Sequence, residues 1–363
     1  MRHYPAPTEQ KHFELSFPWT TPPERGDWQV VAEGVVWLRM PLPFGLDHIN
    51  LYLLEHGDGW VIVDTGLGTQ QTRDVWERVF TEVMQDAPVK AVIATHFHYD
   101  HCGSLGWLAD RFQCPVYMTR GEYQALFVSP STEGGMGWQM SQFYRHSGMP
   151  DEDISGLLSV MGDSSYVQDA PESYNRLVAN QVLRIGHHDW EVVIASGHSP
   201  EHACLYNRQA GLFISGDQVL PRITSSVCVT VTEPDANPLK EWLDSLQGLR
   251  CVSDDVLVLP AHERPFYGLH HRLEQLTEHH QGHLDRLLEH MCEARTADEL
   301  MRFMFPRVRS SFDVLLANGE VLAHLNLLLE EGRITRQLIG ECYRYQRVLA
   351  SNECSVEVQV THI

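Results

Sequence analysis

Histidine and aspartate gather at a few points along this chain, and the grouping is what a metal-dependent reaction needs. His96-Phe97-His98-Tyr99-Asp100-His101 packs three imidazoles and a carboxylate into six residues. In a loop, alternate residues turn the same way, so His96 and His98 can hold one ion while Asp100 and His101 point towards a second. Three further groups repeat the theme: Ser196-Gly197-His198 with His202 close behind, Ser215-Gly216-Asp217, and Pro260-Ala261-His262. Imidazole nitrogen and carboxylate oxygen are the ligands of zinc, manganese and iron. A lone histidine would read as an ordinary core or surface residue. Histidines and aspartates at four separate points need a common cause.

Each group follows a short apolar run. Strand-like segments are expected at VVWLRM (35–40), HINLYLLEH (48–56), WVIVDTG (60–66), VKAVIATH (89–96), PVYMT (115–119), DWEVVIASGH (189–198), ACLYN (203–207), GLFISGD (211–217) and DVLVLPAH (255–262). Amphipathic helices are expected at 70–84 and 238–250, and the Asp-Gly in HGDGW suits a tight hairpin. The polar residue arrives where the apolar run stops, which is where a sheet exposes chemistry at its edge. Strands, helix, strands again describe an α/β layered sandwich. Residues 120–180, rich in Gly, Ser, Met and aromatics, read as a helical insertion or lid, with Met136, Trp138, Met140, Phe143, Tyr144 and Met149 as a candidate apolar wall. From about Gly268 the pattern becomes helical, so we draw a domain of residues 1–268 and a second, mainly α-helical one over 269–363.

The series Asp64-Thr65-Gly66, His96-x-His98-x-Asp100-His101, Gly197-His198, Gly216-Asp217 and His262 resembles the metallo-β-lactamase fold superfamily, over about residues 30–265 and in that family's motif order. The resemblance implies an αββα sandwich and a dinuclear centre. His96, His98 and His198 would ligate the first ion, Asp100, His101 and His262 the second, and Asp217 would bridge them. Asp64 would orient the ligand loop from behind. The two ions, zinc first with manganese or iron as alternatives, would share a hydroxide for hydrolysis, with Asp100 placed to orient it or relay its proton. The helical tail resembles the winged-helix-like domain of the glyoxalase II and LACTB-two-like subgroup. Cys102-Gly103-Ser104 stands where the family often has Gly-Gly, and Ala261-His262-Glu263 where Gly-His-Gly is commoner. No cysteine occupies a ligand place, unlike common zinc β-lactamases, and His98 stands where di-iron redox members carry glutamate.

Substrate follows less directly. There are 27 Lys+Arg against 48 Asp+Glu, a net charge of −21, which disfavours nucleic acid and anionic membranes as partners. An acyl-type small molecule, a thioester or lactone, is therefore favoured; a metal-dependent endoribonuclease or phosphodiesterase, a mono-iron persulfide dioxygenase and a non-catalytic metal-stabilised binding protein are the alternatives. Tyr99, His202 and Arg222 are candidates for substrate contact or support of the ligands. The six histidines 270, 271, 279, 280, 283 and 290 read as a solvated helix face. Eight cysteines without a C-x-x-C pair read as free, mostly buried thiols. With no signal-like start and no apolar run approaching a bilayer span, a cytoplasmic protein, monomeric or homodimeric, is expected.

Overall fold

Strands that alternate two apolar sets, with no polar set between them, have to be buried on both faces. The computed structural model, which describes residues 14–128, 137–161 and 170–348, shows how. β1 (Trp28–Ala32), β2 (Val35–Pro41), β3 (His48–His56) and β4 (Gly59–Val63) form an antiparallel meander. It continues in parallel through β5 (Val89–Ile93), β6 (Val116–Met118) and β7 (Asn175–Arg176) to make a seven-stranded sheet in chain order. Val36, Leu38 and Met40 of β2 join Ile49, Leu51 and Leu53 of β3 in one core, with Val75, Trp76 and Val79 of α1 (Gln70–Glu82) and Leu105 and Leu108 of α3 (Leu105–Phe112). Between α1 and α3 lies the one-turn α2 (Tyr99–Cys102).

The alternate residues, Val35, Trp37, Tyr52, Leu54, Val61 and Val63, enter a second core against a second sheet. That sheet runs β12 (Leu257–Pro260), β11 (Leu212–Gly216), β10 (His202–Asn207), β9 (His188–Ala195), β8 (Val182–Ile185), with only β11 and β12 parallel. Ala203, Leu205, Leu212 and Ile214 face the first sheet, while the intervening Cys204, Tyr206 and Phe213 are also buried, so the outer face is covered as well. This is an αββα sandwich. The β3–β4 hairpin turns through Gly57-Asp58, one residue earlier than the Asp-Gly expected, because Gly57 supplies the positive φ of 63°.

Two compact units divide the described residues: 14–128, 161, 170–227 and 240–278 in one, 137–160, 228–239 and 279–348 in the other. The helical part of the insertion, α5 (Trp138–His146) and α6 (Asp151–Met161), thus groups chiefly with the C-terminal helices and not with the strands that flank it in sequence. Its Ser147 carbonyl accepts from Asp298 N–H (2.8 Å) and Asp153 pairs with Arg302 (2.6 Å). Met140, Tyr144 and Met149 are buried and Trp138 is 73% exposed; Met136 lies outside the described residues.

The second unit also holds the later part of α8 (Leu269–His290), α9 (Ala297–Met304), α10 (Ser311–Glu330) and the hairpin β13 (Ile334–Ile339)–β14 (Cys342–Arg347). Thr296 and Glu299 close a capping box on α9. α10 ends in a Schellman motif: Gly332 at φ 68° lets its own N–H reach Leu329 O and Arg333 N–H reach Leu328 O. By length and composition alone α10 is apolar enough to span a bilayer, a feature the strand-and-motif reading passed over; most of its residues are buried inside the fold. The histidines of α8 also depart from expectation. His279 is exposed as a solvated face requires, but His280 is fully buried. Among the seven described cysteines only Cys102 and Cys204 are buried, and Cys251 and Cys292 are exposed.

Candidate metal centre

β4 and β5 are parallel neighbours in register at Val63 and Ile93, so Asp64 and the His96–His101 loop leave the first sheet side by side. In the second sheet Gly216 lies opposite Pro260, which brings Asp217 and His262 out together. β9 and β10 deliver His198 and His202 on either side of one turn. Six strand ends therefore converge on one edge of the sandwich.

The first group of donors is His96, His98, His198 and Asp217. The tautomers follow from their partners. His198 Nδ1–H donates to the Ser226 carbonyl (2.8 Å) and His96 Nδ1–H to Thr95 Oγ1 (3.1 Å), leaving a lone pair on each Nε2. Those two lone pairs lie 3.2 Å apart, and His98 Nδ1 lies 2.8 Å from His96 Nε2. Burial and the adjacent imidazoles hold His96 neutral, and His98 is pushed down to about 3. Neutral nitrogens aimed at one another in this way repel unless a cation sits among them. A tetrahedral zinc ion, with bonds of about 2.0–2.1 Å, separates its nitrogens by roughly 3.3 Å. The residues fit such an ion.

The second group is Asp100, His101 and His262. His262 Nδ1–H donates to the His48 carbonyl (2.9 Å), and His101 Nδ1–H to Asp64 Oδ2 (2.8 Å). Each Nε2 is thereby turned inward, and His101 Nε2 is buried without a hydrogen-bond partner. Asp217 spans the two groups. Its Oδ2 lies 3.4 Å from His198, 3.5 Å from His101 and 3.9 Å from His96, while Oδ1 lies 3.4 Å from His262. Burial opposes its charge, but the facing His262 and His101 hold the carboxyl well below the usual range.

Asp64 sits behind both groups at φ 62°. Its Oδ1 accepts from Thr95 N–H (2.7 Å) and its Oδ2 from Thr95 Oγ1–H (2.8 Å) as well as from His101. One carboxylate thus fixes His101 directly and His96 through Thr95. Asp64→Asn, which tolerates the left-handed backbone, leaves one of these donors facing an amide N–H. We expect metal affinity to fall about 10–100-fold, read by competition with a chromophoric chelator; unchanged affinity would remove Asp64 from this role.

The other sequence candidates fall differently. His202 is buried beside His96, ring centroids 4.8 Å apart, and its Nε2 accepts from Asp217 N–H (3.2 Å), so it positions the Asp217 turn and belongs to neither donor group. Gly216 has to be glycine here, since a Cβ would stand 2.5 Å from that ring at a φ of 52°. Tyr99 is 42% exposed and belongs to neither group, and exposed Arg222 lies over the Phe17 ring.

Three supports escaped the sequence reading. Asn50, mid-strand in β3, donates to Pro260 O (2.8 Å) and Glu263 O (3.0 Å), and Tyr52 OH donates to Pro260 O (2.8 Å), pinning the His262 turn across the sheets. An Asn inside the apolar run NLYLL was the available signal, because a buried amide has to find partners. Glu122 of α4 (Arg120–Ala125) ties two ligand loops together, accepting from Phe97 N–H (3.0 Å), Ser199 Oγ–H (2.7 Å) and Glu201 N–H (2.7 Å). Glu263 takes the left-handed φ of 69° where the commoner motif has glycine. Glu263→Gly should raise stability by about 0.5–1 kcal/mol by relieving that conformation, seen as a higher urea midpoint with metal content unchanged; a lower midpoint would show that the side chain compensates for the strain.

Residues 44–262 match the family model described as the metallo-beta-lactamase superfamily, and residues 284–348 match its C-terminal domain, metallo-beta-lactamase-like. A crystal structure of a beta-lactamase domain protein from Burkholderia ambifaria superposes with a TM-score of 0.85 at 37% identity, covering 92% of this chain and 98% of that one. The probable metallo-hydrolase YqjP of Bacillus subtilis is 23% identical over 84% of this chain and 95% of its own length. The human acyl-coenzyme A thioesterase MBLAC2 is 22% identical over 52% of this chain and 64% of its own. With the donor groups at the strand ends of an αββα sandwich and a family match over more than half its length, the chain belongs to the metallo-beta-lactamase superfamily.

Proposed function

We propose that the chain hydrolyses acyl-type small molecules, thioesters first and lactones second, at a dinuclear metal centre. The observation that carries this reading is Asp217, one carboxylate whose two oxygens face two separate groups of inward-turned imidazoles. Ions bound there supply an acidified water and Lewis-acid polarisation of the substrate oxygen; the imidazole-rich donor set suits zinc, with manganese and iron as alternatives. His96, His98, His198 and Asp217 would hold the first ion, and Asp100, His101 and His262, with Asp217 shared, would hold the second.

Asp100 differs from its neighbours in access. Its side chain is 22% exposed, against 11% for the other carboxylate, Asp217, and 4% for His262, so it is the carboxylate better placed to meet substrate. It takes a proton from the attacking water as the C–O bond forms and returns it to the thiolate as the C–S bond breaks, which balances a thioester hydrolysis. An acyl substrate agrees with the net charge of −21, which repels the long phosphate backbone of nucleic acid, and with the thioesterase among the relatives. The test is a panel of acyl-coenzyme A thioesters, lactones, RNA and bis-p-nitrophenyl phosphate on metal-loaded protein, with oxygen uptake followed on a persulfide. Thioester turnover leading the panel is expected. A lead by RNA or the phosphodiester would replace the acyl reading, and persulfide-dependent oxygen uptake would replace hydrolysis.

A further inference from the structure

Away from the strand-end cluster, two overlapping sets of metal-ligating side chains meet between α8 and α10: His280, Glu320 and His324, and His279, His283 and Glu320. Both lie wholly in the C-terminal unit. The first set is the more enclosed, since His280 and His324 are fully buried. We infer that it is a metal site in its own right, holding one divalent transition-metal ion of the imidazole-preferring class, zinc first, on His280, Glu320 and His324.

The tautomer of His324 is fixed in the same way as those of His96 and His198. His324 Nδ1–H donates to the carbonyl of Glu320 one turn earlier (2.7 Å), so its Nε2 carries a lone pair. That lone pair lies 3.2 Å from His280 Nδ1, close to the separation of roughly 3.3 Å that two nitrogens keep on one tetrahedral zinc ion. Glu320 and His324, four apart on α10, present one face to His280. Beside it, His283 Nδ1 is buried without a hydrogen-bond partner, 3.9 Å from Glu320 Oε1. Burial disfavours the charged form of all four side chains, and imidazole nitrogen with carboxylate oxygen is a donor set that a borderline cation takes up. A bound ion would pin the C-terminal half of α8 to α10.

The site is tested on the full chain with the strand-end cluster disabled by His98→Ala and Asp217→Ala, dialysed against buffered zinc and assayed by plasma mass spectrometry. Adding His324→Gln, and separately Glu320→Gln, to that background should remove one zinc per chain. Both arms carry the strand-end substitutions, so the difference is independent of whatever that cluster binds. If the added substitutions impair folding, cobalt supplies the second readout: the disabled chain with His262→Ala added should still show the visible absorption of nitrogen- and oxygen-ligated tetrahedral cobalt and a zinc-dependent rise in Tm. A folded disabled chain that takes up neither ion, or zinc retained in both added variants, would show that a proton shared between His280 and His324 satisfies the pair and overturn the proposal.

Discussion

Asp217→Ala should reduce kcat/KM by on the order of 10³-fold or more and lower metal content at both donor groups at once. The reason is geometric. Removing an ordinary ligand subtracts one donor from one ion, but the Asp217 carboxylate faces His96, His198 and His101 with one oxygen and His262 with the other. Without it, four inward-turned imidazoles lose the negative charge they share, and the second group keeps only Asp100 as an anion. His98→Ala is the comparison. It deletes one nitrogen of the first group and should cost about one ion per chain while the second group still binds. Plasma mass spectrometry on untagged protein distinguishes them, and because binding to the native state adds to its stability, the gain in Tm on adding zinc should shrink further in Asp217→Ala than in His98→Ala. Metal content and turnover both unchanged in Asp217→Ala would sink the bridged centre. A single iron surviving the substitution together with persulfide-dependent oxygen uptake would point to one-metal oxygen chemistry.

What the sequence makes legible is whatever ends an apolar run. Imidazoles and carboxylates at the ends of VKAVIATH, GLFISGD and DVLVLPAH announce themselves because a strand interior would not tolerate them, and the order of those runs carries the sandwich. Nearness along the chain leaves more open elsewhere. Tyr99 sits between ligands in sequence, opens α2 and is 42% exposed; Arg222 follows Asp217 by five residues and lies over Phe17. The histidines of α8 fail for a different reason. Whether His280 is solvated depends on which helix lies against it, and Glu320 and His324 come some forty residues later on α10, a pairing that no local spacing encodes. Grouping of the insertion helices with the C-terminal unit is likewise a matter of contacts, such as Asp298 N–H to Ser147 O, that periodicity does not report.

Glu122 is the sharpest case of a residue invisible in sequence and consequential in structure, and Glu122→Ala should destabilise the protein by about 3–5 kcal/mol. It lies in the unremarkable run Arg120-Gly121-Glu122-Tyr123, fully buried. Phe97, whose N–H it accepts, stands between His96 and His98, and Ser199, whose hydroxyl it accepts, follows His198. One side chain therefore splices the two loops that supply the three histidines of the first donor group. Truncation strands two part-buried backbone N–H groups and a buried hydroxyl, each costing up to about 1–3 kcal/mol when unpaired, and frees the loops to drift, so first-site metal affinity should fall about 10–100-fold as well. Burial raises the Glu122 carboxyl while the donors from Ser199, Glu201 and Phe97 pull it down, so its hydrogen bonds matter more here than its charge. Glu122→Gln then becomes the informative partner: its oxygen can still serve Ser199 and Glu201, leaving only Phe97 N–H against an amide, and it should recover more than half of the lost stability. Urea unfolding in the presence of chelator separates this from a ligand defect, since the Glu122→Ala loss persists without metal. If Glu122→Ala costs less than about 1 kcal/mol under those conditions, or if Glu122→Gln is no better, the splice is not what holds His96, His98 and His198 together.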